Sequence, residues 1–138
     1  MKFFNFLFIF FLSAYTYSCS DLLNTEIRVL DSSETVSLCE YTNHVVLVVN
    51  VASRCGYTYQ YSSLQKLYES YKENDFVVLG VPSRDFMQEY SDEGDVAEFC
   101  STEYGVDFPM FATSKLRGQK AIPLYKKLIA KSGVSPKW

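Results

Sequence analysis

From His44 to Val51 the chain reads His-Val-Val-Leu-Val-Val-Asn-Val, β-branched at almost every step and without polar alternation. Such a run predicts a strand buried on both faces, the kind found in the middle of a parallel sheet. From Thr58 the period changes. Tyr61, Leu64, Leu67, Tyr68 and Tyr71 recur at steps of three and four, with Gln65, Lys66, Glu69 and Lys72 on the opposite side, which predicts an amphipathic helix. Glu73-Asn74-Asp75 ends it, and Phe76 to Val81 is a second buried strand closed by Pro82. Strand, helix and strand at this spacing predict a right-handed βαβ crossover.

The flanks extend the pattern. Ile27–Leu30 and Val36–Leu38, separated by Asp31-Ser32-Ser33, predict a small hairpin, and Glu40-Tyr41-Thr42-Asn43 a polar turn. Asp92 to Tyr104 reads as a helix with acidic residues in its first turn, Val96, Phe99 and Cys100 on one face, and Gly105 as its stop. Phe108 to Ala112 is a short strand containing Pro109. A last helix opens on Pro123 and ends at Gly133. The order of elements places the chain in the α/β class.

The first residues follow a different logic. Lys2 gives one positive charge, Phe3 to Leu12 is apolar apart from Asn5, and small and polar residues follow at Ser13, Ala14, Ser18, Cys19 and Ser20. This order predicts a secretory signal peptide over residues 1–20, cut ahead of Asp21, and the apolar run is short for a membrane span. A lipoprotein cut ahead of Cys19 is the alternative, with membrane attachment only through an uncleaved signal or that lipid. The expected location is outside the cytosol, periplasmic or secreted. Residues 21–138 are then one domain.

Composition narrows the function. Hydrophobic content of 48% and charge of 21% fit a packed core. The formal net charge is -3, and no basic stripe is present, which excludes nucleic acid as a partner. His44 is the only histidine, and the cysteines, Cys19, Cys39, Cys55 and Cys100, lie far apart. That argues against a metal site and against a disulfide-stapled miniature fold. Cys39 is expected to pack in the core, Cys19 to be lipid-modified or free, and the lysines at 126, 127 and 131 to form a solvated helix face.

Cys55 is the informative residue. It leaves the end of a buried strand at the entrance of a helix, where ligands gather in open α/β sheets. The helix N-terminus and Arg54 would favour thiolate over thiol, and only the thiolate attacks a peroxide oxygen readily. The other reading of the position is a buried structural cysteine.

The stretch Asn50-Val51-Ala52-Ser53-Arg54-Cys55-Gly56-Tyr57-Thr58-Tyr59-Gln60-Tyr61, with Leu64 and Tyr68, resembles the glutathione peroxidase signature around the peroxidatic residue. The block from Val78 to Glu89 is similar to that family's second motif. Phe99-Cys100, Phe108-Pro109-Met110-Phe111 and Pro123-Leu124-Tyr125 follow in the family's order, so the likeness runs from about Ile27 to Trp138. The resemblance implies a thioredoxin-like fold, a central mixed sheet flanked by helices, and a thiol peroxidase acting on hydrogen peroxide or organic hydroperoxides. It implies that Cys55 is the peroxidatic residue. Cys100 stands where thioredoxin-dependent members carry their resolving cysteine, which implies a Cys55 sulfenic acid followed by a Cys55–Cys100 disulfide. No prosthetic group is implied. A thiol reductant, a thioredoxin-like protein or glutathione, is the co-substrate.

Three departures qualify the likeness. Asp85 occupies the place of a glutamine that hydrogen-bonds the active sulfur in the family. An ionised carboxylate there would oppose a thiolate, whereas a protonated one could donate. After Phe86 the segment is one residue shorter than the family pattern, with Met87 where glycine is expected; Gln88 could then move toward the sulfur, and Asp85 is taken ahead of it. Trp138 matches a tryptophan whose indole N–H serves the sulfur, but the asparagine, strand and helix that follow in the family are absent. The expectation is therefore a C-terminally truncated domain, or else a degenerate, non-catalytic thioredoxin-like module acting as redox sensor or binding protein.

Overall fold

The computed structural model describes residues 18–137. Most of the expected signal peptide and Trp138 lie outside the described residues. Four strands, β1 (Glu26–Arg28), β2 (Thr35–Ser37), β3 (Val45–Val51) and β4 (Phe76–Pro82), and three helices, α1 (Tyr61–Tyr71), α2 (Glu93–Tyr104) and α3 (Pro123–Ser132), follow the predicted order. β1 and β2 form the antiparallel hairpin, with Asp31 in the left-handed region at φ 49°. β3 and β4 pair in parallel from Val45↔Phe76 to Val51↔Pro82, with α1 between them in the chain.

The segment 108–112 joins the two sheets through bridges rather than a full strand. Gly80 N–H donates to the Pro109 carbonyl and Phe111 N–H to the Gly80 carbonyl, each at 2.9 Å. On its other edge, Leu30 N–H donates to Met110 and Ala112 N–H to Arg28. Pro109 has no N–H to offer a ladder, which keeps the pairing this short. A Cβ at position 80 would collide with the Met110 sulfur, so glycine is what lets this segment approach β4.

Alternation along β4 sorts the core into two halves. Val77, Leu79 and Val81 join Ile27, Leu38, Phe111, Leu116 and α3's Leu124 and Tyr125. Val78, on the other face, joins Tyr61 of α1, Val96 and Cys100 of α2, and Phe108. The sheet thus lies between α3 on one side and α1 and α2 on the other. Leu38, Leu79 and Leu116 are fully buried, and cutting any one of them to alanine would cost about 2–5 kcal/mol.

Helix ends obey the sequence signals. The Asp92 carboxylate caps α2 by accepting Gly94 N–H at 2.9 Å, and Gly105 ends it at φ 59°. Pro123 opens α3, and Gly133 closes it at φ 70°. Three expectations fail for tertiary reasons. β3 is half-buried, with Val45 exposed, because among the described residues no strand pairs with its outer edge; β4 is buried from Val77 to Pro82. α1 turns Gln65 inward, where its amide oxygen accepts Asp107 N–H at 2.9 Å and its nitrogen donates to Glu69, while Tyr71 is exposed. Lys127 is not merely solvated: its ammonium donates to the carbonyls of Asp21 and Asn24, tying α3 to the N-terminal segment.

The largest departure concerns Cys39, expected to pack in the core, and Cys19, expected to be lipid-modified or free. Cys19 and Cys39 form a disulfide, with Cα atoms 5.3 Å apart, so neither is a free thiol and Cys39 is not simply core packing. Their wide spacing hid the pair, since only the turn after Ser20 brings the two sulfurs together. Closing a loop with a separation of 20 residues contributes about 3 kcal/mol through the unfolded chain. Cys39→Ser is expected to lower the thermal midpoint by several degrees, measured by circular dichroism against the reduced and oxidised wild type.

Candidate active site

Where β3 ends, Val51 hands over to the loop 52–57 and then to a turn of 3₁₀ helix, Thr58–Gln60, that leads into α1. The loop is fixed by one side chain. The Thr58 hydroxyl accepts Cys55 N–H at 3.0 Å and lies within donating distance of the carbonyls of Cys55, 2.6 Å, and Ala52, 3.1 Å. Cys55 is thereby held half-exposed as a free thiol, with Tyr57 N–H aimed at its sulfur at 3.4 Å.

The sulfur faces a cavity of about 380 Å³. Val49, Tyr61, Leu64 and Phe86 give it apolar walls, and Gln88 and Lys137 add polar groups. The connection after β4 forms one side and is docked on the Cys55 loop by three contacts. Arg54 N–H donates to the Gln88 carbonyl at 2.9 Å, Ser53 N–H to a Glu89 carboxylate oxygen at 3.1 Å, and Ser83 N–H to the Val51 carbonyl at 3.2 Å. Met87 sits at φ 58° and is almost wholly exposed. A non-glycine residue in that region costs about 1–2 kcal/mol. The glycine expected at this position and the shortened loop therefore mark one and the same strained turn.

The expected site residues divide. Asp85 does not line the cavity. Its carboxylate takes Leu116 N–H at 2.8 Å, Arg117 N–H at 3.3 Å and the Lys115 ammonium at 2.8 Å, clamping the turn to the segment 114–117. Burial by itself raises the Asp85 pKa, but Lys115 and these two N–H groups outweigh it and hold the carboxyl below its ordinary value. An ionised group so occupied has no proton for the sulfur of Cys55. Gln88 is the side chain that reaches the cavity instead, with one terminal atom of its amide buried and unpartnered. The one-residue deletion was the signal for this exchange. Arg54 lies over the Tyr90 ring, 5.4 Å from guanidinium carbon to centroid, so its charge is engaged there.

Cys100 is buried on the inner face of α2, in the same apolar cluster as Tyr61, and does not line the cavity. Burial, foremost, pushes its thiol up; a contact with the Tyr61 hydroxyl lowers it and the charge of Glu89 raises it, and the thiol stays above its ordinary value. At neutral pH Cys100 is protonated and protected. To meet Cys55 it must leave the helix face, a local opening of the kind helix ends and loops undergo. Trp138 lies outside the described residues. Among the described residues no cluster of three metal-binding side chains occurs, and no helix is long and apolar enough to cross a membrane.

With this geometry in place, comparison with known proteins gives a consistent result. A family model described as glutathione peroxidase matches residues 22–129. The chain is 47% identical over 105 residues to a glutathione peroxidase homolog, BsaA, of Halalkalibacterium halodurans, covering 75% of this chain and 67% of that protein. It is 44% identical over 106 residues to the hydroperoxy fatty acid reductase gpx1 of Synechocystis, covering 76% of this chain and 62% of that protein. The chain thus spans about two thirds or less of the length of these relatives. Among solved structures, Trgpx in its apo form superposes with a TM-score of 0.62 at 33% identity, covering 86% of this chain and 73% of that one. The thioredoxin domain of a thiol-disulfide oxidoreductase from Bacteroides vulgatus superposes with a TM-score of 0.56 at 17% identity, covering 88% and 76%, which speaks to the fold alone. The fold is thioredoxin-like, as the resemblance implied.

Proposed function

The chain belongs to the glutathione peroxidase family, and from that premise we propose that it is a thiol peroxidase in which Cys55 reduces hydrogen peroxide or an organic hydroperoxide. The observation that carries the reading is the Cys55 sulfur itself: half-exposed at a cavity mouth, braced by Thr58, and faced by a backbone N–H. The Cys55 thiolate displaces water or an alcohol from the peroxide and becomes a sulfenic acid. The Cys100 thiol then condenses with it, releasing water and leaving a Cys55–Cys100 disulfide, which an external dithiol reduces. The apolar walls at Val49, Leu64 and Phe86 suit the carbon chain of an organic hydroperoxide. A second cysteine in reserve favours a thioredoxin-like dithiol over glutathione as reductant.

Export belongs to the same proposal. A Cys19–Cys39 bond persists in an oxidising compartment and rarely in the cytosol. For that bond to survive maturation the signal must be cut ahead of Cys19 rather than ahead of Asp21, and Thr16 and Ser18 supply the small residues such a cut needs. N-terminal sequencing of the exported protein is expected to begin at or before Cys19; a start at Asp21 would remove the bond.

One observation favours the competing reading of a non-catalytic module: Asp85, in the place of the family's glutamine, is bound to Lys115 and Leu116 and gives the sulfur nothing. The rate of Cys55 alkylation against pH separates the two. A peroxidase requires a midpoint well below that of an ordinary thiol, about 8.5. An ordinary midpoint together with no dithiol-dependent peroxide consumption would leave only the module.

A further inference from the structure

The turn after β4 sends two neighbouring side chains different ways. Met87, at φ 58°, is 93% exposed, and Gln88 turns into the cavity that Cys55 lines. Gln88 is also fixed relative to the reactive loop. Its backbone carbonyl accepts the N–H of Arg54, the residue before Cys55, at 2.9 Å. The next residue, Glu89, accepts the N–H of Ser53 on its carboxylate at 3.1 Å. Two hydrogen bonds thus fasten residues 88 and 89 to residues 54 and 53, one step from the reactive cysteine.

The side-chain carbonyl oxygen of Gln88 is buried, and among the described residues nothing donates to it. A buried acceptor without a donor is unfavourable, and an apolar side chain of the same length would avoid that cost. The walls around it at Val49, Leu64 and Phe86 are apolar. Asp85 is in the opposite condition, with its two oxygens taken by Lys115, Leu116 and Arg117. The cavity therefore holds, beside the sulfur, one acceptor that a molecule entering it can complete. A hydroperoxide, hydrogen peroxide included, brings the matching donor: its terminal oxygen, the one a sulfur nucleophile removes, carries an O–H.

We propose that Gln88 is the catalytic residue that recognises the peroxide: its side-chain carbonyl accepts the terminal O–H and holds that oxygen against the Cys55 sulfur. The inference deepens the peroxidase reading of the same cavity and rests on it. In the step, Cys55, its proton already lost to solvent, attacks the terminal oxygen. The S–O bond forms and the O–O bond breaks, so the sulfur is oxidised and the peroxide reduced. The transferred oxygen keeps its hydrogen and stays on Gln88 as the sulfenic acid hydroxyl. The departing alkoxide or hydroxide takes a proton from water, which reaches the half-exposed sulfur. One thiol and one hydroperoxide thus give one sulfenic acid and one alcohol or water. Gln88 gives nothing to the sulfur itself; it selects a peroxide with a free O–H.

Two variants test it. Gln88→Met removes the acceptor and keeps the length, whereas Gln88→Glu keeps an acceptor. In each protein, with the Cys19–Cys39 bond intact, loss of the Cys55 thiol is followed by quenching and peptide mapping. It is measured once with hydrogen peroxide and once with methyl methanethiosulfonate, a thiol reagent that has no hydrogen-bond donor. The ratio of the two rate constants cancels any change in the sulfur. Gln88→Met is expected to lower that ratio about tenfold, the effect of one hydrogen bond, and Gln88→Glu to hold it within about twofold. A ratio lowered as far in Gln88→Glu as in Gln88→Met would make the amide a donor and overturns the proposal. Because the acceptor is unsatisfied at rest, Gln88→Met is also expected to unfold at or above the wild-type temperature. A midpoint several degrees lower would show Gln88 to be a structural strut and overturns the proposal too. Wild type whose Cys55 meets peroxide no faster than free cysteine overturns the peroxidase reading and the inference with it. Fast wild type with an unaltered ratio in Gln88→Met overturns the inference alone.

Discussion

Replacing Cys55 by serine is expected to reduce peroxide consumption to the uncatalysed background, a loss of at least about a thousandfold in kcat/KM, or about 4 kcal/mol on the barrier. The substitution keeps the size of the side chain and leaves in place the Thr58 brace, which binds backbone atoms of residue 55, not its sulfur. What it removes is the ionisable atom. A serine hydroxyl is not deprotonated near neutrality, and one N–H from Tyr57 at 3.4 Å is no base that could activate it. Circular dichroism and the Cys19–Cys39 bond should be unchanged, so the loss is chemical and not a failure to fold. Peroxide consumption equal in wild type and Cys55→Ser would end the account.

Cys100→Ser should separate the two halves of the cycle. The variant is expected to consume about one equivalent of peroxide per protein and then stall when a thioredoxin-like dithiol is the only reductant, whereas wild type turns over many times. In the proposed cycle Cys55, which lines the cavity, would meet the peroxide, and Cys100, which is buried and does not line it, would enter only after oxidation. Burying a hydroxyl at a site 2% exposed carries a stability cost of about 1–3 kcal/mol. Cys100→Ala is therefore run beside it, and a stall in both assigns the effect to the missing thiol. Sustained dithiol-dependent turnover in both variants would show that the reductant attacks the Cys55 sulfenic acid directly, and Cys100 would then be a core residue.

Elements governed by short-range rules were legible before any coordinates. Asp92, Gly105, Pro123 and Gly133 mark their helix ends in the chain as they do in space. The apolar runs at 45–51 and 76–82 are the paired parallel strands, and the cysteine at the end of the first lies at the cavity. Legibility fails wherever a residue's partner lies far away in sequence. Gln65 looks like a solvent-facing polar residue until Asp107 supplies an N–H for it inside the protein. Asp85 looks like a neighbour of the active sulfur until Lys115 and Leu116 claim it, and Gln88 takes the vacated side of the cavity. A uniform apolar run says nothing about which edge of a strand is covered, so β3 and β4 read alike yet differ in burial. The Cys19–Cys39 bond is likewise a product of the tertiary fold; in sequence it is only two scattered residues of one type.

The most direct test is to expose the reduced, folded protein to one equivalent of hydrogen peroxide for a few seconds, trap sulfenic acid with a dione reagent, and map the adduct by mass spectrometry. The account predicts the adduct on Cys55 at the earliest times and its replacement by a Cys55–Cys100 linked peptide as trapping is delayed. Cys55 found unmodified in a protein that remains folded would contradict it.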